Sequence, residues 1–557
     1  MAKVFLFISF IICMLVAQCQ QTTNTGQKIE GKAKKGTQTA SLNKKKPVGN
    51  TADDYVPVYD EGFLYGNNLG YYGNGWDDSL IAKLLWKANG NTLRAKITDT
   101  FITQWGLNIR LNRFVDYLKK YKMRNIVLIT GEPAAYAHGD TTHYLGMNKP
   151  HSKLFRNMYT PIWNPDGSIN PENYAAVYYN SLCQTYGPYV KFWEIVNEPD
   201  FTGNPSQWLK RAPLPSEMSN LYAPIYHYIR LLRIAYEVIK HYYPDAYVAP
   251  GGLGYYQFYD CLLRYTDNPD SGKVTADYPK TGGAYLDVVS YHVYPDYYLK
   301  KYMGRPNGVD QWQFFYSSDN AIAVYRTFQN LYESTSLKYG YGVSKPEKYY
   351  MISETNVPKR STKYVFGSDS FQRNFVVKAL VQLQKLNLIS VNLFTTGDHD
   401  DPGPSDRVYE KDGDEYKQMG LYNNLHKARP GEEELNQEGV AWKTYGMLIG
   451  KRELVYDSVR TKALGFTGYT ALPASAKVDG AAFLDPKSNK YFYILWARAL
   501  GNKTEEASAT YSFPSELHVQ KLKQYNWDYS TTGVSSNTDP ASISLTGEPS
   551  FFEEVGK

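Results

Sequence analysis

The sequence predicts an α/β protein, a (β/α)8 TIM barrel followed by a C-terminal antiparallel β-sandwich. From about residue 60 to residue 450, short apolar runs alternate with amphipathic segments, which is typical of repeated βα units. Eight such units can be counted, the number that closes a barrel. After about residue 450 the apolar runs become short and alternating, with polar turns between them, and this change favours antiparallel strands.

The eight predicted barrel strands are all short and largely apolar. They are residues 63–67, 92–97, 125–130, 191–197, 246–249, 286–292, 349–354 and 389–394. Asp77 and Asp78 are typical caps for the first helix, and apolar residues from Ile225 to Ile239 recur at helical spacing. The last helix is predicted at 440–448. The chain is long for one barrel, and we assign the excess to loops 134–171 and 294–339 at the catalytic face.

The C-terminal part predicts a small sandwich that packs on the barrel. Its predicted strands are residues 481–484, 491–496, 509–512 and 542–545, with a hairpin turn at 485–489. The domain prediction is therefore a signal peptide at 1–19, a disordered tether at 20–55, the barrel at 56–450 and the sandwich at 451–557.

The N-terminus predicts export. A basic start and an apolar stretch of signal-peptide length precede Cys19, which follows a sequence similar to a bacterial lipoprotein cleavage site. Lipidation of Cys19 is left open, and no transmembrane segment is expected in the mature chain. Residues 28–46 hold seven Lys and one Glu, which indicates a disordered tether rather than a nucleic-acid surface. We expect a secreted, periplasmic or cell-surface protein.

The composition contains no sign of a cofactor. The glycine-rich stretches 66–75 and 251–254 lack a dinucleotide or phosphate-loop pattern, and no zinc motif is present. We expect no cofactor and no metal, and interpret the acidic stretches 398–401 and 412–415 as solvated loops rather than calcium sites. Cys183 and Cys261 are interpreted as two buried thiols, with a disulfide as the alternative. The 52 Tyr and 10 Trp suit sugar binding, although aromatic residues also fill cores.

Two glutamates stand where predicted barrel strands end. Glu198 follows the fourth strand in Asn197-Glu198-Pro199, and Glu354 ends the seventh. A parallel barrel brings its strand ends to one face, so these side chains can meet. Cleaving a glycosidic bond with retained configuration needs two carboxyl groups about 5–5.5 Å apart, one to protonate the leaving oxygen and one to attack the anomeric carbon.

These motifs resemble clan GH-A of the retaining (β/α)8 glycoside hydrolases. The stretch 193–199, WEIVNEP, is similar to the clan's strand-four motif, and 352–356, ISETN, to its strand-seven motif. The resemblance implies that Glu198 is the acid/base, with its pKa held up so that it arrives protonated, and that Glu354 is the nucleophile. It also implies that Asn197 contacts the sugar 2-hydroxyl.

The resemblance extends to three supporting residues. Arg94 on the second strand matches the clan arginine that keeps the nucleophile ionised. His292 and Tyr294 match the clan's His-x-Tyr, in which the tyrosine hydrogen-bonds the nucleophile and the histidine borders the subsite.

Other predicted contacts are less specific. Many clan members end the eighth strand with a tryptophan, and here Phe394, or a loop aromatic such as Trp76 or Trp105, has to take that place. Glu132 is predicted to be a substrate contact or a loop anchor. Glu194 is predicted to be structural, about 13 Å below the catalytic face by strand rise.

Three functions remain open from the sequence. The resemblance and the long loops favour an endo-acting hydrolase of a polysaccharide, of the agarase or porphyranase kind. The enzymatic alternative is an exo-acting β-xylosidase-like glycosidase. The alternative from another class is a surface glycan-binding protein without turnover, although such a binder does not need two glutamates together with Arg94 and Tyr294.

Overall fold

The computed structural model describes residues 55–202, 205–308, 311–363, 365–399, 413–456, 459–465 and 472–555. The predicted signal peptide, Cys19 and nearly all of the predicted tether lie outside these residues, so export and lipidation stay predictions. Within the described part of the chain, no helix is both long enough and apolar enough to cross a membrane.

Eight parallel strands form the barrel: β1 Leu64–Asn68, β2 Thr92–Lys96, β3 Asn125–Thr130, β4 Phe192–Ile195, β5 Tyr247–Pro250, β6 Val288–His292, β7 Tyr349–Thr355 and β8 Ser390–Leu393. Their order in the sheet is β5-β4-β3-β2-β1-β8-β7-β6. Backbone hydrogen bonds from Asp287 to Val248, at 2.7 Å, and from His292 to Leu253, at 2.9 Å, join the two edges. The TIM-barrel prediction is confirmed.

The helices follow the strands in the expected alternation: α1 Asp78–Lys87, α2 Asp99–Trp105, α3 Leu111–Val115, α4 Tyr174–Tyr186, α5 Ile225–Tyr242, α6 Tyr256–Arg264, α7 Ser318–Lys338, α8 Asp369–Lys385 and α9 Gln437–Leu448. Six of them begin at a side chain that accepts a backbone N–H of the first turn, as N-caps do: Asp77, Thr98, Asn173, Ser317, Ser368 and Asn436. The predicted cap Asp77 accepts from Leu80 N at 2.9 Å.

The two predicted long loops have different outcomes. The segment between β3 and α4 is a long irregular loop, as expected. The segment 294–339 is mostly regular, because it contains a hairpin of Lys300–Gly304 with Gln311–Phe314 and the whole of α7. The loop prediction was wrong there. The buried stripe of α7 includes Tyr325, Phe328 and Tyr332, so much of its helical spacing is carried by tyrosines rather than aliphatic residues.

The C-terminal part is an antiparallel sandwich, as predicted. One sheet has six strands in the order Glu453–Leu454, Val478–Leu484, Tyr491–Ala497, Ser550–Glu554, Leu522–Tyr525 and Ser535–Thr538, and the other pairs Ser508–Tyr511 with Ile543–Thr546. A separate apolar core lies between the sheets and includes Tyr493, Leu495, Ile543 and Phe552. The sequence did not indicate the strands at 522–525 and 535–538, which are short and mostly polar.

The sandwich is attached to the barrel through a buried charge on α7. Asp319 accepts hydrogen bonds from Trp496 Nε1, at 2.8 Å, and from the Ala499 backbone, at 3.0 Å, both in the sandwich. Lys378 Nζ on α8 lies 2.8 Å from the same carboxylate, and both side chains are buried. Removing one partner of such a pair leaves a buried charge without compensation.

We expect Asp319→Ala to lower the free energy of unfolding by about 3–5 kcal/mol, because Lys378 would remain buried with only the more distant carboxylate of Glu505, 3.9 Å away, to compensate its charge. Urea denaturation followed by tryptophan fluorescence measures this. Asp277→Ala, at an exposed aspartate of the same barrel, is the control and should change the free energy by less than about 0.5 kcal/mol. A loss no larger than the control's would show that this pair does not hold the domains together.

Candidate active site

The barrel brings Glu198 and Glu354 to one place at the carboxyl ends of its strands. An oxygen of each carboxylate and a ring nitrogen of His292 all lie within 4.8 Å of one another. Glu354 lies in β7 itself, whereas Glu198 lies three residues beyond the end of β4. Both side chains are partly open to solvent. The site therefore has room for a reacting group between two carboxyl groups.

Both oxygens of Glu354 have hydrogen-bond donors. Arg94 Nη1, on β2, lies 2.5 Å from Oε1, and the hydroxyl of Tyr294 donates to Oε2 at 2.8 Å. A charge-assisted bond from a guanidinium favours the ionised carboxylate, and the second donor fixes its orientation. Arg94 and Tyr294 thus occupy the places that the sequence predicted for them.

Arg94 holds more than the one glutamate. Its Nη2 donates to Asn197 Oδ1 at 2.7 Å, and its Nη1 also reaches Asn68 Oδ1 at 3.0 Å. Its Nε lies 2.6 Å from Glu194 Oε2, and the Arg94 side chain is completely buried. Because the oxygen of Asn197 is engaged, its amide nitrogen is left to donate into the adjoining cavity, which Asn197 lines. Asn68 was not predicted.

Glu194 is closer to the site than its position in the strand suggests. The prediction placed it about 13 Å below the catalytic face by strand rise, but it contacts the same guanidinium as Glu354. The estimate was wrong because β4 ends at Ile195, and the chain then turns instead of rising. Glu194 is nevertheless structural in the sense predicted, since it is buried and compensates Arg94.

The turn after β4 is built on unusual backbone angles. Val196 and Glu198 have φ angles of 64° and 47°, in the left-handed region that a β-branched residue rarely adopts. The Glu198 N–H donates to the Gly251 carbonyl at 2.6 Å. A Cβ on Gly251 would lie 1.3 Å from the Val196 oxygen, and one on Gly252 would lie 1.9 Å from His292 Nε2. The glycine run at 251–254 therefore allows close packing behind Glu198.

His292 connects Glu198 to the barrel interior. Its Nδ1 lies 2.9 Å from Glu198 Oε1 and 3.7 Å from Glu354 Oε2. Its Nε2 lies 3.0 Å from Ser353 Oγ, which is 2.8 Å from Ser290 Oγ, and Ser290 donates to Glu194 at 2.5 Å. A continuous chain of hydrogen bonds therefore leads from Glu198 through His292 and the two serines to Glu194, and on to Arg94.

The surroundings shift the pKa values of Glu198 and His292 in opposite directions. Burial raises the pKa of Glu198, but the hydrogen bond and charge of His292, together with the charge of Arg94, bring it below its ordinary value. Burial lowers the pKa of His292, but the charge of Glu354 and the bond to Glu198 raise it above its ordinary value. The expectation that the pKa of Glu198 is held up was wrong, because the hydrogen bond and charge of His292 outweigh the effect of burial.

The predicted aromatic contacts lie in different places. Phe394 follows β8 and lies with Tyr294 and Tyr416 in one aromatic group, with ring centroids 6.4 Å and 5.8 Å from Phe394. It therefore packs beside the tyrosine that bonds Glu354, and Tyr416 is a neighbour that the sequence did not indicate. Trp76 donates from Nε1 to the Ala428 carbonyl at 2.8 Å and so contacts the segment between β8 and α9.

Glu132 lines a cavity next to the pair of glutamates. Its carboxylate lies 2.7 Å from Lys96 Nζ. The cavity has a volume of about 590 Å³ and includes Asn197, and its other polar lining residues are Asp140, Thr141, His151, Ser152, Lys153 and Asn220. The loop after β3 thus forms one wall of the space beside the reacting groups, and Glu132 is positioned as either a contact or an anchor, as predicted.

The acidic stretches are less solvated than predicted. Asp398 is completely buried, lies 2.5 Å from Lys359 Nζ and accepts from the Gly420 backbone at 2.9 Å. Glu415 is also buried and accepts a hydrogen bond from Tyr297. The solvated-loop interpretation was wrong for these two residues, because both are buried and hydrogen-bonded. Positions 400, 401 and 412 lie outside the described residues.

Two other sequence expectations concern thiols and metals. Cys183 and Cys261 are buried free thiols, as interpreted. Among the residues that the structure describes, one group of three or more possible metal ligands lies close together, and it is Glu198, His292 and Glu354. Arg94 already places a positive charge against Glu354, which disfavours a second cation there.

The barrel and sandwich together are similar to solved glycoside hydrolases. A family 39 glycoside hydrolase from the gut symbiont Bacteroides cellulosilyticus WH2 is 15% identical over 88% of this chain and 80% of that chain, with a TM-score of 0.52. A GH30 endoxylanase from Clostridium papyrosolvens C71 is 13% identical over 90% and 98%, with a TM-score of 0.47. A glucosidase from Croceicoccus marinus is 12% identical over 92% and 97%, with a TM-score of 0.49.

These identities are low, so the likeness shows the fold alone, and only the family 39 enzyme exceeds a TM-score of 0.5. No protein-family model and no curated protein matches the sequence. The likeness therefore supports the predicted fold, a barrel with a C-terminal sandwich.

Asp200, two residues after Glu198, is a buried carboxyl that the sequence did not indicate. It accepts from the backbone N–H groups of Gly254, at 3.2 Å, and Tyr255, at 2.8 Å, and so joins the turn after β4 to the loop after β5. Burial raises the pKa of Asp200 to about 7, the two N–H groups oppose this, and the charge of Glu198 adds to the rise.

This pKa predicts a pH dependence of stability. A carboxyl whose pKa is higher in the folded state contributes stability below its unfolded pKa of about 4, and this contribution is lost as pH rises to about 7. We expect Asp200 to lower the free energy of unfolding by up to about 4 kcal/mol across this window. In Asp200→Asn, the decrease in the free energy of unfolding should be smaller. Urea titrations from pH 4 to pH 8 measure the slope, with Asp60→Asn as an exposed control. An unchanged slope in Asp200→Asn would contradict the assignment.

Proposed function

We propose that this chain is a secreted glycoside hydrolase that cleaves β-glycosidic bonds with retention of configuration. The observation that carries the proposal is the placement of Glu198 and Glu354, with oxygens within 4.8 Å in one open site. This spacing suits a retaining enzyme, in which the carboxyl groups lie about 5–5.5 Å apart, and is too short for the water of an inverting one. The fold shared with a family 39 glycoside hydrolase adds support.

In this mechanism, Glu354 is the nucleophile. One of its oxygens attacks the anomeric carbon while the glycosidic carbon–oxygen bond breaks, and the leaving oxygen takes a proton from Glu198. In the second step, Glu198 removes a proton from water, which attacks the same carbon and releases Glu354. Asn197, held by Arg94, donates to the sugar 2-hydroxyl, a bond that strengthens as positive charge develops on the ring.

The proton for the first step belongs to the pair formed by Glu198 and His292. At rest it lies on the imidazole, 2.9 Å from the carboxylate, where the negative charge of Glu354 helps to hold it. When Glu354 bonds to the sugar it loses that charge, and the imidazole loses a source of its raised pKa. The proton is then released toward Glu198 at the moment when the leaving oxygen needs it.

For the substrate, we propose endo-action on a polysaccharide, with an agar-type galactan as the first polymer to test. The Asn-Glu-Pro-Asp-Phe stretch at 197–201, the long loop after β3 and the cavity of about 590 Å³ support a site that holds more than one sugar. Export is proposed from residues 1–19. An exo-acting β-xylosidase-like enzyme and a glycan-binding protein are the outcomes that the experiments below would reveal instead.

We expect the purified protein to cleave at least one member of a panel of aryl β-glycosides and agar-type, xylan and other β-glycans, and Glu354→Ala to lower kcat by roughly 10⁴-fold or more. The first product, observed by ¹H NMR, should be the β-anomer. Added azide should restore turnover of an activated aryl glycoside in Glu354→Ala and yield the α-glycosyl azide, because azide then attacks in place of Glu354.

The control for this experiment is Glu172→Ala, at an exposed glutamate in the loop before α4, which should retain full activity. An inverted first product would reject the two-step mechanism. Binding of a glycan without cleavage of any substrate would reject the enzymatic proposal in favour of a binding protein.

The shared proton predicts a specific pH effect of His292→Gln. With an oligosaccharide substrate, the basic limb of kcat/KM reports loss of the last proton from the pair. Removing the imidazole leaves Glu198 alone, so we expect this limb to move to lower pH. A shift of this limb to higher pH would show that Glu198 alone carries the proton and that His292 only lowers the pKa of Glu198. An unchanged limb would also contradict the shared proton.

A further inference from the structure

An exposed aromatic strip lies on the loops after β1 and β2. It consists of Tyr71, Phe101 and Trp105, with Arg110 between the first two. The guanidinium carbon of Arg110 lies 5.5 Å from the centroid of the Tyr71 ring and 5.2 Å from that of Phe101. The rings of Phe101 and Trp105 are 5.1 Å apart. Tyr71 is 56% exposed and Trp105 57% exposed, which is high for such large side chains.

The strip is held in place by the barrel rather than by its own rings. Arg110 donates to the Lys96 carbonyl at 2.8 Å and to the Tyr71 hydroxyl at 2.9 Å. Its Nε also lies 3.2 Å from Asp78, which compensates its charge. The strip therefore presents fixed ring faces with little net charge, which does not suit a phosphate backbone or an acidic partner.

The strip lies at the same end of the barrel as the cavity that Glu132 and Asn197 line. Trp105 and Phe101 lie on α2, and the Thr100 backbone of that helix donates to the Glu132 carbonyl at 3.2 Å. Glu132 in turn lines the cavity together with Asn197. Tyr71 lies three residues beyond the end of β1. All these groups therefore lie at the same end of the barrel, on neighbouring loops.

We propose that this strip binds sugar units of a β-glycan chain that lie outside the reacting centre. Aromatic faces pack on the apolar C–H faces of sugar rings, and an exposed row of fixed rings offers this contact without a cost of ordering. The proposal rests on the proposed function for its choice of ligand, a polysaccharide. It deepens that function by extending the binding surface from the cavity over the loops after β3 and β2.

The test uses native gel electrophoresis of the full-length Glu354→Ala protein in gels that contain agarose, xylan, laminarin or β-mannan. We expect at least one polymer to retard this protein, and Tyr71→Ala with Trp105→Ala to weaken the retardation roughly tenfold in apparent Kd. The matched control is Trp86→Ala, at a tryptophan on α1 that is 45% exposed but outside the strip, which should leave the retardation unchanged.

Kinetics separate this proposal from the proposed function. In the otherwise intact enzyme, the double variant should raise KM for the polymer roughly tenfold and leave kcat/KM for a short aryl β-glycoside unchanged. When Trp105→Phe, which keeps a ring, replaces Trp105→Ala in the double variant, most of the rise in KM for the polymer should disappear. This would exclude misfolding as the cause of the rise.

The strip proposal would be overturned if no polymer retarded the parent, or if the parent and the double variant were retarded equally. A change of oligomeric state in the double variant, measured by light scattering, would also overturn it, because it would assign the strip to a second copy of the chain. Cleavage of aryl glycosides would still support the proposed function in these cases. Retardation that depends on the strip, without any hydrolysis, would support the strip and reject the enzyme.

Discussion

The guanidinium of Arg94 holds the two sides of the site together. It lies at the centre of the barrel, fully buried, and its hydrogen bonds reach Glu354 on β7, Glu194 on β4, Asn197 beyond β4 and Asn68 at the end of β1. A buried cation is costly unless it is fully bonded, and two carboxylates with two amide oxygens meet this need. The planar fork fixes all four acceptors at once, which a lysine could not do, so the position of Glu354 and that of the Asn197 amide depend on one side chain.

The same fork links the protonation of the two glutamates. From Arg94 the hydrogen bonds continue through Glu194, Ser290 and Ser353 to His292 and Glu198. In a site of low dielectric, such a chain is stabilising only if every member is bonded. A negative charge at Glu354 therefore favours a proton on His292, and its loss on bonding to a sugar favours release of that proton. The two proposed half-reactions are thus electrostatically coupled by the direct approach of His292 Nδ1 to Glu354 Oε2, at 3.7 Å.

Much of the barrel and the outer part of the site could be predicted from the sequence. Strand ends such as Glu198, Glu354 and Tyr294 follow apolar runs, so their place at one face follows from parallel strand geometry. The inner part could not be predicted. Ser290 and Ser353 are ordinary strand residues until the register of β6 and β7 places them side by side.

The direction of the pKa shift of Glu198 was mispredicted for a related reason. A sequence shows that Glu198 follows a buried strand, which alone implies a raised pKa, but not that an imidazole lies 2.9 Å away. The depth of Glu194 was likewise misjudged, because the left-handed turn at Val196 has no sequence signal beyond the glycines at 251 and 252 that pack against it. Contacts between distant segments, rather than the local sequence pattern, determine both the pKa of Glu198 and the depth of Glu194.

The sandwich packs against helices of the barrel that follow strands with site residues. The strands β6 and β7 carry His292 and Glu354, and Tyr294 lies two residues beyond β6. The helices that follow these strands, α7 and α8, both contact the sandwich, and α9 also contacts it, through Thr444 and Val440 with Ser530. Besides the contact of Asp319 with Trp496, Lys385 on α8 lies 2.7 Å from Asp479 of the sandwich. Helices that pack on neighbouring strands fix how those strands lie against each other, so the sandwich stabilises the half of the barrel whose register joins the imidazole to the nucleophile.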